Sequence, residues 1–326
     1  MQVPFERKNL VLDSSQTTGN QIPRVSVSTL NPQIFWNEYR RAGKPVIITD
    51  LLDNQPKWDL NYLCEKLGDQ KFPIRVYGNK RYQQDKRQWE DIGSSVKYQA
   101  MTLNDYAEKL RNGEAAQQDM YLGKCALTNT TLAADSGLRN LGSRLGFKLP
   151  VTGLNLWCGN GGHTTCLHSD AFDGILTQLS GSKKVLLFPP KQLSNIYPFL
   201  LFNHLRYGLK IRSSYSQVYP QKPDLESFPK FSQALTNAYE VTLQEGDVLF
   251  IPVGWWHEVT ALGDGVVISV NQFWNVFPLS RAMFSWNKWR IHLTIILAAP
   301  HIIATWLKAI MSSDRKQKLR QLMQKF

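Results

Sequence analysis

Short apolar runs separated by turns that contain Gly or Asp fill the middle of the chain, over residues 120–274. β-Branched and aromatic residues are frequent in these runs, and each run has the length of a strand rather than that of a helix. Many short strands joined by such turns are typical of an all-β sandwich or barrel. The pattern therefore predicts a mainly β fold, with strands in the segments DMYLGKC, GLNLWC, DGILTQLSG, KKVLLFPP, NAYEVTLQEGD, VLFIPVGWWHEVTAL and GVVISVNQFW.

The chain before this region mixes helical and strand patterns. Residues 1–30 are polar and indicate an N-terminal arm, and residues 31–119 indicate α/β elements that pack on the barrel. Asn31-Pro32 is a helix start signal, and Thr102 is a residue type that caps helices. The predicted elements are a helix over 30–41, a strand over 44–50, a helix over 61–67, a strand over 72–78 and a helix over 102–111 that ends near Asn112-Gly113.

A long polar and aromatic stretch, residues 194–238, separates two of the predicted strands. Long loops inside a compact domain are commonly functional lids. We therefore interpret this stretch as an insertion in the barrel of residues 120–278, covering one of its mouths.

The last part of the chain, residues 279–326, is predicted to be helical. Residues 279–290 are amphipathic, 291–307 are almost free of formal charge, and 314–326 form a basic amphipathic pattern. A membrane helix usually needs about 20 apolar residues, and the uncharged stretch is shorter and contains Pro300-His301. The pattern favours an apolar helix pair packed on a protein surface over a membrane anchor. The basic end could also contact anionic lipid or nucleic acid.

Charge and cysteine content narrow the class of protein. The chain has 326 residues and a formal net charge of +12, but residues 276–326 hold nine Lys and Arg against a single acidic residue, Asp314. The body therefore lacks the large basic face of a dedicated nucleic-acid-binding protein. Four cysteines without a CxxC pair, and an N-terminus without an apolar run, predict reduced thiols in a cytoplasmic protein.

One triplet in the predicted strands, His168-Ser169-Asp170, has the spacing of metal ligands. Residues two apart on a strand face the same side, so the imidazole and the carboxylate should project together. His257, 89 residues later in another apolar strand, offers a third ligand. Two imidazoles and one carboxylate form the facial triad of non-haem Fe(II) oxygenases, whereas a closed zinc site would require a fourth ligand. Alone, a histidine in a strand is more often a structural residue.

A pair of lysines follows the triplet across the turn Ser180-Gly181-Ser182. Adjacent strand residues face opposite sides, so at most one of Lys183 and Lys184 should point inward. A buried ammonium group is costly without a partner, and an acidic co-substrate would supply one. The alternative is that both lysines are solvated.

These motifs resemble a known family. HSDAFDGILTQLSGSKKVLLFPP, GDVLFIPVGWWHEVT and VVISVNQFW are similar to segments of the cupin-like JmjC oxygenases and, among them, of the asparaginyl hydroxylases that act on the hypoxia-inducible factor. The resemblance implies a double-stranded β-helix (jelly-roll) barrel and a dioxygenase that uses Fe(II), 2-oxoglutarate and O₂. It also implies that the C-terminal helices, residues 279–326, pair with a second copy. The site residues it implies are His168, Asp170 and His257 for the metal, and Lys183 rather than Lys184, with Thr165, Tyr121 and Asn271, for the co-substrate.

One implied residue conflicts with strand alternation. Thr165 is three residues before His168 and should face the opposite side of a regular strand. A bend near Gly161-Gly162 is the only feature of the sequence that we connect with this. Asn271, in contrast, fits the pattern, because Ser269 and Asn271 share a polar face while Ile268 and Val270 face the core.

Two departures from the asparaginyl hydroxylases concern the substrate. Gly174 stands where those enzymes carry an amide residue, and Ser214-Tyr215 stand where they carry an Arg-Gln pair. The sequence therefore leaves three hypotheses. These are a hydroxylase of protein side chains, a small-molecule or nucleoside oxygenase with the same chemistry, and a non-catalytic cupin-like binding module.

Overall fold

The computed structural model describes residues 20–52, 56–78, 81–89, 96–134, 136–208, 212–312 and 314–315. Most of the predicted N-terminal arm and almost all of the predicted basic helix over 314–326 lie outside these ranges. Within the arm, Arg24–Ser26 forms a strand that pairs in parallel with the strand Val46–Thr49, so this part belongs to a sheet.

The strands in chain order are β1 Arg24–Ser26, β2 Val46–Thr49, β3 Lys71–Val76, β4 Lys97–Thr102, β5 Met120–Ala126, β6 Asn155–Asn160, β7 Thr164–Ser169, β8 Asp173–Ser180, β9 Ser182–Phe188, β10 Tyr239–Leu243, β11 Val248–Ile251, β12 Trp256–Leu262 and β13 Val266–Trp274. The helices are α1 Pro32–Ile34, α2 Leu60–Leu67, α3 Leu103–Arg111, α4 Glu114–Gln117, α5 Ser136–Arg139, α6 Leu141–Arg144, α7 Asn203–Tyr207, α8 Phe231–Leu235, α9 Leu279–Phe284 and α10 Trp286–Ile310. A π-helix covers Phe35–Arg40, and 3₁₀ turns cover Arg81–Gln83, Lys86–Gln88, Thr131–Ala134 and Pro190–Asn195.

The described strands form two facing sheets. The larger has nine strands in the order β1-β2-β11-β8-β13-β6-β5-β3-β4, and the smaller has four in the order β10-β9-β12-β7. Apart from the parallel pair β1–β2, every neighbouring pair in these sheets is antiparallel. The architecture confirms the prediction of a mainly β, jelly-roll-like barrel with α/β elements before it and helices after it.

Strand alternation distributes the apolar residues over three layers. On β2, Ile48 packs with the N-terminal helices against the outer face of the large sheet, while its neighbour Ile47 packs between the sheets. On β9, Val185 and Leu187 likewise face the interior, and Leu186 faces the segment between β9 and β10. Because consecutive residues of a strand pack into apolar layers on its two opposite faces, the sequence of each such strand is a continuous apolar run.

The helix predicted over 30–41 begins at Asn31, whose side chain accepts a hydrogen bond from Ile34 N at 2.9 Å. Most of it is a π-helix rather than the expected α-helix, with Arg41 N donating to Trp36 O at 2.8 Å. Phe35 and Arg40 are both buried. In an α-helix they would lie about 140° apart, so the wider turn allows both to face the barrel. The predicted helix over 102–111 is confirmed, including the cap at Thr102.

The C-terminal helices are divided differently from the prediction. The chain breaks at Ser285 rather than near residue 290, because the Ser285 side chain caps a new helix at Lys288 N. This helix, α10, continues past Pro300 to Ile310, so 291–307 is part of one helix and not a pair. Its N-terminal half is fixed to the barrel by Asn287 Nδ2, which donates to Gly254 O at 2.9 Å, and by Arg290, which donates to Phe199 O at 3.0 Å.

Among the described residues, α10 is the one helix whose length and apolar composition would suffice to cross a membrane. A helix that lies on a folded domain can meet the same criteria, and the polar contacts of Asn287 and Arg290 hold its first half against the barrel.

A buried carboxylate joins the N-terminal and C-terminal elements to the barrel. Asp173, at the start of β8, is fully buried and receives hydrogen bonds from Arg281 of α9 at 3.0 and 3.1 Å. Arg40 Nε lies 3.6 Å from the same carboxylate, and Val253 N donates to it at 3.0 Å. Three segments distant in sequence therefore share one counter-charge.

Asp173→Ala is expected to lower the free energy of unfolding by about 3–5 kcal/mol, because it leaves the buried Arg40 and the half-buried Arg281 without their carboxylate. Glu240→Ala is the matched control, since Glu240 forms an exposed pair with Lys184 at 3.8 Å and its loss should cost less than about 1 kcal/mol. Urea unfolding followed by tryptophan fluorescence measures both. Similar small losses in the two variants would contradict the structural role of Asp173.

Candidate active site

A cavity of about 200 Å³ opens between the two sheets. Its walls come from strands β3 to β9 and β11 to β13, and from the segment between β9 and β10. The polar residues among those that line it are Arg75, Tyr98, Tyr121, Lys124, Thr165, His168, Ser169, Asp170, Lys183, Arg212, Ser214, Tyr215, His257 and Asn271. All seven residues predicted for the site are in this set.

Strand pairing brings His168 and His257 together. β7 and β12 are antiparallel neighbours, and in their register His257 is directly opposite His168, with 4.3 Å between the ring centroids. Asp170 is the first residue beyond β7, and its Oδ2 lies 3.6 Å from His257 Nε2. One ligand atom from each of the three residues lies within 4.8 Å of the others. The geometry is that of a compact three-donor group at one end of the cavity.

Backbone carbonyls fix the protonation pattern of both rings. His168 Nδ1 is 2.9 Å from Cys166 O, and His257 Nδ1 is 3.2 Å from Trp255 O. A carbonyl only accepts, so each Nδ1 carries a proton, and in the neutral ring Nε2 presents its lone pair. Burial lowers the pKa of His168 to about 4, which keeps this ring neutral at physiological pH. Neutral imidazoles with a fixed tautomer are the form that binds metal ions.

The two lysines of β9 separate as alternation requires. Lys183 is 2% exposed, points between the sheets and donates to Ser269 Oγ of β13. Lys184 points outward to Glu240. On β13, Ile268 and Val270 lie in the core, and Asn271 lines the cavity. In the described part of the chain, the buried Asn271 Oδ1 receives no hydrogen bond.

A β-bulge in β7 explains the position of Thr165. Between the pairs Thr165–Val259 and His168–His257, β7 contains one residue more than β12. The extra residue returns Thr165 to the cavity side, so the bulge, and not the expected bend near Gly161-Gly162, resolves the conflict with alternation. The bulge is held by the buried Glu258, whose Oε2 accepts from Leu167 N at 3.2 Å.

A second bulge acts in the same way on β5. Between the pairs Leu122–Cys158 and Cys125–Leu156, β5 has one extra residue, and Lys124 there adopts a positive φ of 57°. Tyr121 and Lys124 consequently both line the cavity although they are three residues apart. Tyr121 stacks on His163 with ring centroids 3.6 Å apart, and His163 Nδ1 is 2.7 Å from Asp119, so His163 has a structural role beside the cavity.

The segment between β9 and β10 contributes the last wall. Ser169 N donates to Ser214 O and Ser216 N to Leu167 O, both at 2.9 Å, so this segment extends the edge of β7. The Tyr215 ring is thereby stacked beside His168, with centroids 5.2 Å apart. The function of residues 194–238 as a lid stays a prediction.

Comparison with known proteins agrees with this geometry. A family model described as a cupin-like domain matches residues 32–280. The chain belongs to the cupin-like domain family. This match also covers the α/β elements, so the family unit is longer than the barrel of residues 120–278.

Relatives of this cupin-like chain include proteins named for a JmjC domain and proteins named as lysine-specific demethylases. It is 28% identical to JmjC domain-containing protein D of Dictyostelium discoideum, over 75% of this chain and 53% of that protein. It is 28% identical to lysine-specific demethylase 8 of Danio rerio, over 83% of this chain and 63% of that protein. HSPB1-associated protein 1 of Rattus norvegicus is 38% identical over a shorter region, 36% of this chain and 23% of that protein. The chain thus spans roughly half to two thirds of the first two relatives. These matches show that the chain is similar to proteins named for a JmjC domain or for lysine demethylation.

The residues present fit the groups that the resemblance implies. Two imidazoles and one carboxylate are the donor set of a non-haem Fe(II) site. The acceptor Asn271 Oδ1 has no donor in the described structure, and Lys183 has a hydroxyl but no carboxylate beside it. Both observations suit a cavity built to receive a further polar molecule.

Sequence reasoning missed three cations that line the cavity, namely Arg75, Lys124 and Arg212. One signal was available, because regular alternation in DMYLGKC would place Lys124 on the face of Met120 and Leu122, both of which are buried. A charged residue at such a position indicates a bulge or a functional role. No comparable signal marks Arg75 or Arg212, because their convergence depends on how β3 and the segment after β9 fold over the barrel.

The buried ammonium of Lys183 should give the protein without co-substrate a characteristic pH dependence. Burial lowers its pKa to about 7. The unfolded chain keeps the ordinary pKa of about 10.4, so between these values it binds more protons than the folded protein and stability rises with pH. Relative to Lys183→Met, the wild type should gain up to about 1.4 kcal/mol per pH unit in this window.

Urea unfolding at several pH values above 7 measures this difference. The outward-facing Lys184→Met is the control, and its curve should run parallel to that of the wild type. A Lys183→Met curve that is also parallel to the wild type would contradict the burial of a neutralised Lys183.

Proposed function

We propose that this protein is an Fe(II)- and 2-oxoglutarate-dependent dioxygenase that hydroxylates a protein side chain. The proposal rests on one observation. The three donors of His168, Asp170 and His257 share a cavity with the buried ammonium of Lys183 and the unsatisfied amide oxygen of Asn271. A structural metal site has no use for a buried lysine and an orphan acceptor, whereas an acidic co-substrate engages both.

In this proposal His168, Asp170 and His257 hold the iron, and they are the only residues assigned to the chemical step. When bound, Fe(II) and 2-oxoglutarate supply the oxidative decarboxylation that couples O₂ reduction to hydroxylation. Lys183 binds the distal carboxylate of the co-substrate, and Thr165, Tyr121 and Asn271 orient it. Ser269 accepts a hydrogen bond from Lys183 in the protein alone. In this proposal Ser269 is a positioning residue that holds the Lys183 ammonium toward the co-substrate.

The names of the relatives favour a protein side chain over a small molecule as the substrate, and the charge of the cavity favours hydroxylation over demethylation. The relatives include proteins named lysine-specific demethylases, and the quoted motifs resemble those of asparaginyl hydroxylases. With Lys183 paired to the co-substrate, demethylation of a methylated lysine would still bring a cation beside Arg75, Lys124 and Arg212, which Coulomb repulsion disfavours. We therefore propose hydroxylation.

The substrate-binding residues of the asparaginyl hydroxylases are not present in this chain, so we do not propose asparagine as the substrate residue. A Cβ built on Gly174 would lie 2.9 Å from a ring atom of Phe273, so an amide side chain at this position requires Phe273 to move. Ser214 and Tyr215 line the cavity in place of the Arg-Gln pair. A small-molecule or nucleoside oxygenase is the alternative within the same chemistry, and a binding module is the alternative without it.

The deciding experiment is an anaerobic titration with Fe(II) and 2-oxoglutarate, followed by the visible charge-transfer absorption of a chelated 2-oxoacid. The wild type should develop the band, and Asp170→Ala should lose it while keeping its circular dichroism spectrum, because one of three ligands is gone. Lys183→Met should weaken 2-oxoglutarate binding by about tenfold or more, as expected for a lost charge-assisted bond.

Lys184→Met is the matched control for Lys183→Met and should bind 2-oxoglutarate like the wild type. Absence of the band in folded wild-type protein would favour the binding module. A larger loss in Lys184→Met than in Lys183→Met would move the co-substrate anchor to the outer face of β9.

We also propose a cytoplasmic, homodimeric protein that pairs through its C-terminal helices. Cys64, Cys125, Cys158 and Cys166 are all free thiols, as a reducing compartment requires. Large apolar side chains are exposed on both helices, including Met283, Phe284, Ile296 and Ile303. An apolar surface of this kind commonly marks an interface.

Phe284→Ser with Ile296→Ser should convert the dimer to a monomer, because both side chains are more than half exposed and the changes remove apolar area from the interface without opening the core. Light scattering coupled to size-exclusion chromatography measures the mass. Leu225→Ser, an exposed apolar residue in the segment after β9, is the control. A wild-type monomer would refute the dimer, and preferential binding to lipid vesicles would replace it with a membrane contact.

A further inference from the structure

The cavity contains more positive charge than the proposed iron and co-substrate account for. Among the described residues that line it, Arg75, Lys124, Lys183 and Arg212 are cationic, and Asp170 is the single carboxylate. Fe(II) is a dication and 2-oxoglutarate a dianion, so together they leave this balance unchanged. With Lys183 charged against the co-substrate, a formal surplus of three positive charges remains.

The surplus is located on three side chains that come from separate elements. Arg75 is near the end of β3, Lys124 is on the bulge of β5, and Arg212 is in the segment between β9 and β10. Arg75 is held by the Tyr77 hydroxyl at 3.3 Å and lies 6.0 Å from the centroid of the Tyr98 ring. Neither contact neutralises its charge.

Lys124 is placed here at a cost. Its φ of 57° is unfavourable for a residue other than glycine, asparagine or aspartate, and such strain tends to occur at functional positions. The side chain of Lys124 is exposed, and partial desolvation by the cavity walls, followed by repulsion from Arg212, lowers its pKa. No ion pair is formed by Lys124, Arg75 or Arg212 with any part of the chain that the structure describes.

Three unpaired cations that converge on one partly enclosed volume are unfavourable unless an anion joins them. Lys124 and Arg212 are both exposed, so a negatively charged group can reach them from solvent. The positive φ of Lys124 and its repulsion from Arg212 are therefore consistent with a site that binds a negatively charged group.

We propose that Arg75, Lys124 and Arg212 bind an acidic group of the substrate, a carboxylate or phosphate on a protein segment, beside the residue that is oxidised. This inference rests on the proposed function, since it names the substrate class of the same site. The guanidinium groups of Arg75 and Arg212 can each bind an oxyanion through two N–H donors, and Lys124 adds a positive charge.

The test uses short peptide pools, blocked at both ends, with neutral flanking positions and a central Glu, Gln, phosphoserine or Lys. Each pool carries an uncharged fluorophore, and binding to the full chain with Fe(II) and 2-oxoglutarate is followed anaerobically by fluorescence anisotropy. The Glu or phosphoserine pool should bind about tenfold more tightly than the Gln pool, the size expected of one charge-assisted hydrogen bond. Preference for phosphoserine over Glu would identify the anion as a phosphate.

The variants are chosen to preserve the fold. Arg212→Gln changes an exposed residue, and Lys124→Asn introduces a residue type that tolerates the positive φ. Both should reduce the preference for the acidic pools to within about twofold. Arg212→Lys should retain most of it. Lys71→Gln, at the exposed beginning of β3, is the matched control and should bind like the wild type.

The visible band of the iron and 2-oxoglutarate complex is recorded in every sample, so the two proposals fail separately. A wild type with the band but without a preference for acidic pools, or with a preference for the Lys pool, overturns this inference and leaves the oxygenase intact. A wild type without the band but with an acidic preference overturns the oxygenase and leaves an anion-binding cavity. Loss of 2-oxoglutarate affinity in Arg212→Gln would reassign the cations to the co-substrate and overturn the inference.

Discussion

A regular strand sends every second side chain to the same face, and this cavity needs side chains at odd spacing from two of its strands. β7 must present Thr165 and His168, and β5 must present Tyr121 and Lys124, each pair three residues apart. Both strands meet the constraint by inserting one residue against their neighbours. Without the bulges, one member of each pair would point out of the cavity, so the site depends on two local breaks in strand pairing.

The bulge in β7 is stabilised by polar contacts as well as by strand pairing. Glu258, on the neighbouring strand β12, accepts from the amide of Leu167 within the bulge, and Ser216 of the segment after β9 donates to the carbonyl of the same residue. The backbone groups that the bulge releases from the ladder are therefore satisfied. The same contacts place Tyr215 beside His168, which connects the shape of the strand to the wall over the three-donor group.

Features that depend on local periodicity could be predicted from the sequence, and features that depend on pairing between distant segments could not. The opposite orientations of Lys183 and Lys184, and the contrast between Val270 and Asn271, follow from alternation alone. The cap at Thr102 is equally local. The bulges depend on the register of β7 with β12 and of β5 with β6, which no single segment encodes. The π-helix over Phe35–Arg40 is set by packing on the barrel. The break at Ser285 could not be predicted because the sequence has a helical pattern on both sides of it.

Different elements of the barrel supply the proposed metal ligands and the proposed substrate-binding cations. The three donors, Lys183 and Asn271 come from the small sheet and from β13, where pairing across continuous strands fixes their positions. The three unpaired cations come from β3, β5 and the segment after β9. Loops and edge elements can change without altering the strands that hold a reactive centre, which is how one fold serves many substrates. Cationic side chains in this cavity are thus compatible with relatives named for lysine demethylation, because the residues that would bind the substrate belong to different elements from those that would hold the metal.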